Sequence, residues 1–300
     1  MVDAGDAFFK RLPVLPPEAD RKSMVEKAQV VLESLNLMGY DALGIGEEDL
    51  TFGKDVLLDL SKKAKFPFLC ANLFDESTGK RLFQASMIKE VNGLKIGLFS
   101  VLGPDLFTLP DDPRKKGLTI RNPNEVISEL IKELQPKTDV LVLLSHLGYT
   151  KDMELAQSVS GIDIIAGSHT GMNLSYPPVV KNTILLQTGL KGMFAARFDF
   201  TLYNNHSTPY NVMTKRSYEN NLNLLKNRMN GPQVTEAEKA QFRRSIEDVE
   251  RKLRELQGKN EFTNTISGLT EATKENPDIA KLVSEYKSKY PEPSAPAPTK

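Results

Sequence analysis

Apolar positions recur along the first two thirds of the chain with two alternating periods. From about Pro17 to Met38, Val25, Ala28, Val31, Leu32 and Leu35 fall at helical spacing, and Gly39 is placed to end the helix. Short apolar runs that suit strands follow at Tyr40 to Ile45 and Phe66 to Leu73. Phe83 to Val91 and Leu94 to Val101 flank Asn92-Gly93, a pair that adopts the positive φ angles of a tight hairpin turn. Glu125 to Leu134 is amphipathic. Val140 to Leu144 is apolar at every position, which predicts a central strand buried on both faces. Ile162 to Ala166 and Thr183 to Gln187 have the same character. Helical and strand patterns in alternation predict a sheet covered by helices, an α/β fold.

The pattern changes after about residue 215. Thr235 and Glu238 have the spacing of a capping box. Phe242, Ile246, Val249, Leu253 and Leu256 follow at alternating steps of four and three, with charged residues between them. That is the seam of a coiled coil, with Gly258 at its carboxyl end. A second helix is expected from Pro277 to about Tyr286, and the two are expected to form a hairpin packed on the domain or on a partner. Tyr290 to Lys300 holds four prolines. The chain therefore divides into an α/β domain over residues 1–215, a helical segment over 216–287 and a Pro-rich linker or disordered tail over 288–300.

Composition narrows the function classes. Lys and Arg together number 39, as do Asp and Glu, so there is no electrostatic case for nucleic acid or an anionic membrane surface. No apolar run is long enough to span a bilayer. The single cysteine, Cys70, excludes an internal disulfide and a cysteine-based zinc cluster, and its apolar surroundings predict a buried core residue. No Cys-x-x-Cys-His occurs, so this chain attaches no c-type haem. Val2 to Asp6 offers neither the basic nor the apolar region of a signal peptide. Either the protein is cytoplasmic or its N-terminus has been removed.

Candidate chemistry is sought at strand ends, where open α/β sheets place it. His146 directly follows the buried run ending at Leu144-Ser145, and His169 follows Asp163 to Gly167 in a loop of small residues. Two of three histidines thus occupy equivalent positions on neighbouring strands. Neutral imidazoles with a carboxylate make a divalent metal site, and Asp6, after Gly5, is a candidate for that carboxylate. His206, in a polar stretch, is expected to be an exposed loop residue. Glu47-Glu48-Asp49 is expected to be a solvated helix start, with a replacement acidic site as the other reading. Asn72 is expected in a turn.

The segments "VDAGDAFF", "NLMGYDALGIGEEDLTFG", "FPFLCANL", "VNGLKIGLFSVLGP", "DVLVLLSHLG", "GIDIIAGSHTGM" and "TILLQTGLKG" resemble, in order and spacing, the 5'-nucleotidase branch of the calcineurin-like metallophosphoesterases over about residues 1 to 200. The resemblance implies a four-layer α/β/β/α sandwich. In that family two divalent metals at the carboxyl edge of the sheet bridge the substrate phosphate and activate a water for in-line attack. By the same resemblance Asp6, His146 and His169 are metal ligands, with Mn, Zn or Fe as one ion or none. An exported, periplasmic protein is implied, with the family's first motif upstream of Asp6.

The departures from the family carry equal weight. Ile45 stands where the family has an asparagine ligand. Gly46 replaces the histidine that stabilises the leaving group, and Gly171 replaces a second histidine ligand. Asp49 matches the aspartate that orients the missing histidine. Two readings follow. One is a phosphoesterase with a reduced metal site acting on a phosphate-ester small molecule, with Asp49 its one candidate catalytic side chain. The other is a non-catalytic scaffold that binds a protein partner through helix 235–257, associated with an exported electron-transfer protein.

Overall fold

A computed structural model describes residues 1–12, 14, 16–189, 191–204 and 208–291. His206 and nearly all of the Pro-rich tail lie outside the described residues.

Two sheets lie face to face. The smaller is parallel and consists of β1 (Val2–Asp3), β2 (Ala42–Gly44) and β3 (Phe68–Leu69), in that order. The larger runs β10 (Val179–Val180), β11 (Thr183–Leu186), β9 (Ile164–Gly167), β8 (Val140–His146), β6 (Leu94–Leu102) and β5 (Ser86–Val91). Its four central strands are parallel. The outer hairpin β5–β6 turns at Asn92 and Gly93, whose φ angles are 52° and 82°. A separate antiparallel pair joins β4 (Leu73–Asp75) to β7 (Leu118–Ile120).

Three apolar layers hold the sheets and helices together. Between the sheets, Ala4, Ala42 and Leu69 meet Leu98 and Leu144. Outside the small sheet, α1 (Glu18–Met38) and α2 (Lys54–Lys63) bury Ala28, Leu32, Leu35, Leu57 and Leu60 against Leu43 and Phe68. Outside the large sheet, α3 (Pro123–Leu134) and α4 (Tyr149–Ser158) bury Ile127, Leu130 and Leu155 against Leu141, Leu143 and Ile165. The result is the α/β/β/α sandwich. It also explains the apolar run in β8: Leu141 and Leu143 face helices, while Leu144 faces the other sheet. Gly39 ends α1 in a left-handed conformation, its N–H bonded to the carbonyls of Asn36 and Leu35.

The last third of the chain returns to the sandwich. β12 (Phe194–Thr201), β14 (Glu261–Gly268) and β13 (Tyr210–Asn211) form a third sheet in the order β12–β14–β13. Its Phe198, Phe200 and Phe262 pack on Val140, Ile164 and Ile184. Between these strands lie α5 (Val212–Met229) and α6 (Glu236–Glu255), which form a helical hairpin tied by a Lys226–Glu250 ion pair at 3.0 Å. The Thr235–Glu238 capping box opens α6. Ile246 and Val249, at the centre of its seam, are buried.

The hairpin expected between residues 235–257 and 277–286 is corrected by this arrangement. Its members are α5 and α6. The later helix, α7 (Pro277–Lys289), packs instead on α1, where Tyr286 Oη donates to the Ser23 carbonyl. β14 intervenes and carries the chain away from α6. Its alternation is weak, and α5 buries none of its residues, so neither has a strong periodic signature.

Candidate metal centre

Strands of both sheets end at one place. Asp6 lies three residues past β1 and Glu47 three past β2, while His146 ends β8 and His169 lies two past β9. One nitrogen or oxygen from each of the four lies within 4.8 Å of the others. Asp6 and His169 have φ angles of 62° and 71°, a left-handed backbone that costs a non-glycine residue about 1 kcal/mol or more. Packing around both loops holds that strain where the side chains converge.

The contacts centre on Glu47. Its Oε2 lies 2.8 Å from His146 Nε2, and its Oε1 lies 3.0 Å from His169 Nδ1. Asp6 Oδ2 lies 3.2 Å from the same His146 Nε2. His146 Nδ1 is 2.7 Å from the Ala4 carbonyl, which can only accept, so Nδ1 carries a proton. When the ring gives up its second proton, it presents a lone pair on Nε2 to two carboxylates. Glu47 Oε2 and His146 Nε2 are both buried without a hydrogen-bond partner despite their proximity. Two electron-rich buried atoms at 2.8 Å repel unless a proton or a cation lies between them. The donor set, two imidazoles and two carboxylates, suits a divalent transition metal, and the backbone bond at Nδ1 is the orienting contact such a ligand needs. His169 is one-third exposed, which leaves the cluster open to solvent on that side.

The charges respond to one another. Burial would depress the His146 pKa, but the Asp6 and Glu47 carboxylates outweigh it and hold it well above 6.5. The bond to Glu47 raises His169 as well. Burial would raise the Glu47 carboxyl, yet the two imidazoles bring it below its ordinary value. Beneath His146, the Asp152 carboxylate accepts a 2.5 Å bond from Ser145 Oγ, and burial pushes its pKa up to about 7.

Glu47, Glu48 and Asp49 are only 3%, 8% and 0% exposed, so the expectation of a solvated helix start is corrected. Each has a polar partner within the fold. Asp49 accepts the backbone N–H groups of Asp6 (2.9 Å), Gly46 (3.0 Å) and Phe8 (3.1 Å), lashing the β1 and β2 loops together. Burial, then the nearby Asp6 charge, pushes its pKa up to about 7. It thus orients backbone rather than an imidazole, and it stands behind the cluster. Glu48 donates its N–H to Asp6 Oδ1 at 2.8 Å, and its side chain meets Arg114 at 3.1 Å. Arg114 in turn forks Asp112.

The structure brings Asp6, His146 and His169 together and adds Glu47 to them. The strand-end reasoning that picks out the histidines applies equally to Glu47, which follows Gly44-Ile45-Gly46 off β2. Its acidic neighbours obscured it. Ile45 points into the core, and Gly46 is confined: a Cβ there would lie 2.2 Å from Asp6 Oδ1 and 2.6 Å from His146 Cε1. Cys70 and Asn72 are fully buried; Asn72 bonds the Leu102 and Arg121 carbonyls from its turn.

No family model matches the chain. Among characterised proteins, it is 26% identical over 219 residues to a 5'-nucleotidase of Vibrio cholerae, covering 63% of this chain and 39% of that protein. Among solved structures, the sulfate thiohydrolase SoxB of Thermus thermophilus matches with a TM-score of 0.58 at 25% identity, over 67% of this chain and 35% of that one. The calcineurin-like phosphoesterase YfkN of Bacillus subtilis shares the fold, with a TM-score of 0.63 at 16% identity over 96% of this chain and 82% of that one. The chain spans between 30% and 39% of the length of such curated relatives. No helix among the described residues is long and apolar enough to cross a membrane. With its sandwich, its strand-end cluster and these likenesses, the chain shares the fold of the calcineurin-like phosphoesterases and is similar in sequence to the N-terminal part of 5'-nucleotidases.

Proposed function

We propose that this domain holds one divalent cation, Mn, Zn or Fe, between Asp6, Glu47, His146 and His169 and presents it to phosphate esters. The observation that carries the reading is the convergence of one donor atom each from Asp6, Glu47, His146 and His169 within 4.8 Å of one another, with the buried Glu47 Oε2 and His146 Nε2 facing each other at 2.8 Å. A cation there would supply Lewis acidity toward a phosphoryl oxygen. The chain's own residues set the geometry: the Ala4 carbonyl fixes the His146 tautomer, Glu47 spans both imidazoles, and Asp49 locks the loops bearing Asp6 and Glu47.

The same geometry favours binding over fast turnover. The family's leaving-group histidine would stand at Gly46, where the chain is collapsed onto Asp6 and His146 and leaves no room for a side chain. Loss of such an acid lowers a rate by about 10² to 10⁴. The reading is therefore a phosphate-ester-binding metal domain with weak hydrolysis. A scaffold role toward a protein partner gains support from the same collapsed loop. An extracytoplasmic location accompanies the reading and rests on the family resemblance; cell fractionation tests it.

The test is the metal content of the purified full chain, before and after dialysis against Mn, Zn or Fe(II), with turnover of a generic phosphate ester measured on the loaded protein. About one equivalent is expected, dropping below about a tenth in His146→Ala and in Glu47→Gln. A wild-type chain that retains less than about a tenth of an equivalent overturns the reading.

A further inference from the structure

β12 pairs with β14 along all eight of its residues without a bulge, and no described strand pairs with its other edge. The first half of β12 is open to solvent: Phe194 is 36% exposed, and Ala195, Ala196 and Arg197 are exposed too. Met193 and Leu269, 54% and 47% exposed, flank that end and are joined by a 2.8 Å backbone bond. Edge strands that stay solitary are blunted by proline, a bulge or charged side chains. β12 has no proline and keeps an unbroken register.

Its charges are arranged differently. Arg197 and Asp199 lie one on each side of Phe198, on one face, and bond each other within the strand at 2.9–3.0 Å. Both are largely exposed, so that bond contributes little by itself. A twofold axis through Phe198 would set Arg197 opposite Asp199 of a second copy, and Asp199 opposite its Arg197. The same register sets exposed Ala196 against Phe200, and Phe194 against Leu202. The open half of each strand would then lie along the better-covered half of the other.

We propose that two copies of this chain associate through β12, antiparallel about Phe198, to form one six-stranded sheet β13–β14–β12–β12–β14–β13. Main-chain hydrogen bonds supply the attraction, and the self-complementary charges set the register. The contact is small, so a reversible dimer of micromolar affinity is expected.

Sedimentation velocity of the full chain over a concentration series tests this. The wild type should pass from monomer to dimer. Arg197→Asp and Asp199→Arg should each place like charges across the axis and sediment as monomers with unchanged circular dichroism. An equimolar mixture of the two variants restores both opposite-charge pairs, so it should dimerise. A wild type that stays monomeric to about 100 μM, a dimer indifferent to both substitutions, or a mixture that stays monomeric would each overturn the proposal.

Discussion

β8 and β12 are strands of similar length, seven and eight residues, with opposite surroundings. Six of the seven residues of β8 are buried, between helices on one face and the second sheet on the other, whereas β12 has none that is fully buried. The difference bears on function. A strand pinned on both faces ends at a defined point, so the His146 ring emerges with its position set and its Nδ1 bonded. A strand open on one edge positions nothing, but it offers backbone groups to something else. The candidate metal cluster therefore sits at the ends of strands from the sandwich, and the C-terminal sheet presents an accessible edge at β12.

Substitutions that empty the sandwich should have the largest effect. Leu143→Ala in β8 removes a fully buried side chain and should cost about 2–5 kcal/mol in urea unfolding. A cost below about 1 kcal/mol would show that β8 is not the rigid support this comparison makes it. Asp49→Asn comes next. An amide can keep two of the three backbone bonds but sets an N–H₂ against the remaining N–H. A loss of about 1–3 kcal/mol in stability and about 10- to 100-fold in Mn(II) or Zn(II) affinity by titration calorimetry is expected. Unchanged metal affinity would separate Asp49 from the cluster.

A pH series sharpens the picture further. The folded pKa values of His146 and His169 lie above the ordinary 6.5. Without metal, their stabilising contribution is complete below 6.5 and is lost as pH rises through the raised folded values. A cation displaces those protons, so the rise in Tm on adding metal should grow as pH increases above 6.5. A metal-induced shift that is flat or shrinks over that range would argue against the imidazoles as ligands. The smallest effect belongs to β12: Arg197→Ala should change monomer stability by no more than about 0.5 kcal/mol.

Much of the sandwich was legible in the sequence. Helix α1, the Asn92-Gly93 hairpin and the doubly buried β8 each announce themselves through local periodicity or turn chemistry, which depend on neighbours a few residues away. Asp6, His146 and His169 were legible as strand-end residues. α5 and β14 were not, because polar residues dominate the one and the other alternates only weakly. Their place depends on the aromatic cluster that β14 completes with β12.

Sequence alone determined which segments of the sandwich bury apolar faces, since spacing and side-chain polarity suffice for that. Only tertiary structure decided that Glu47, one of three adjacent acids, leaves water for the cluster. Burying a carboxylate is unfavourable unless opposite charge meets it, and its partners, His146 and His169, lie about a hundred residues farther along the chain. No local pattern encodes such an encounter; it exists only once the two sheets have closed on each other.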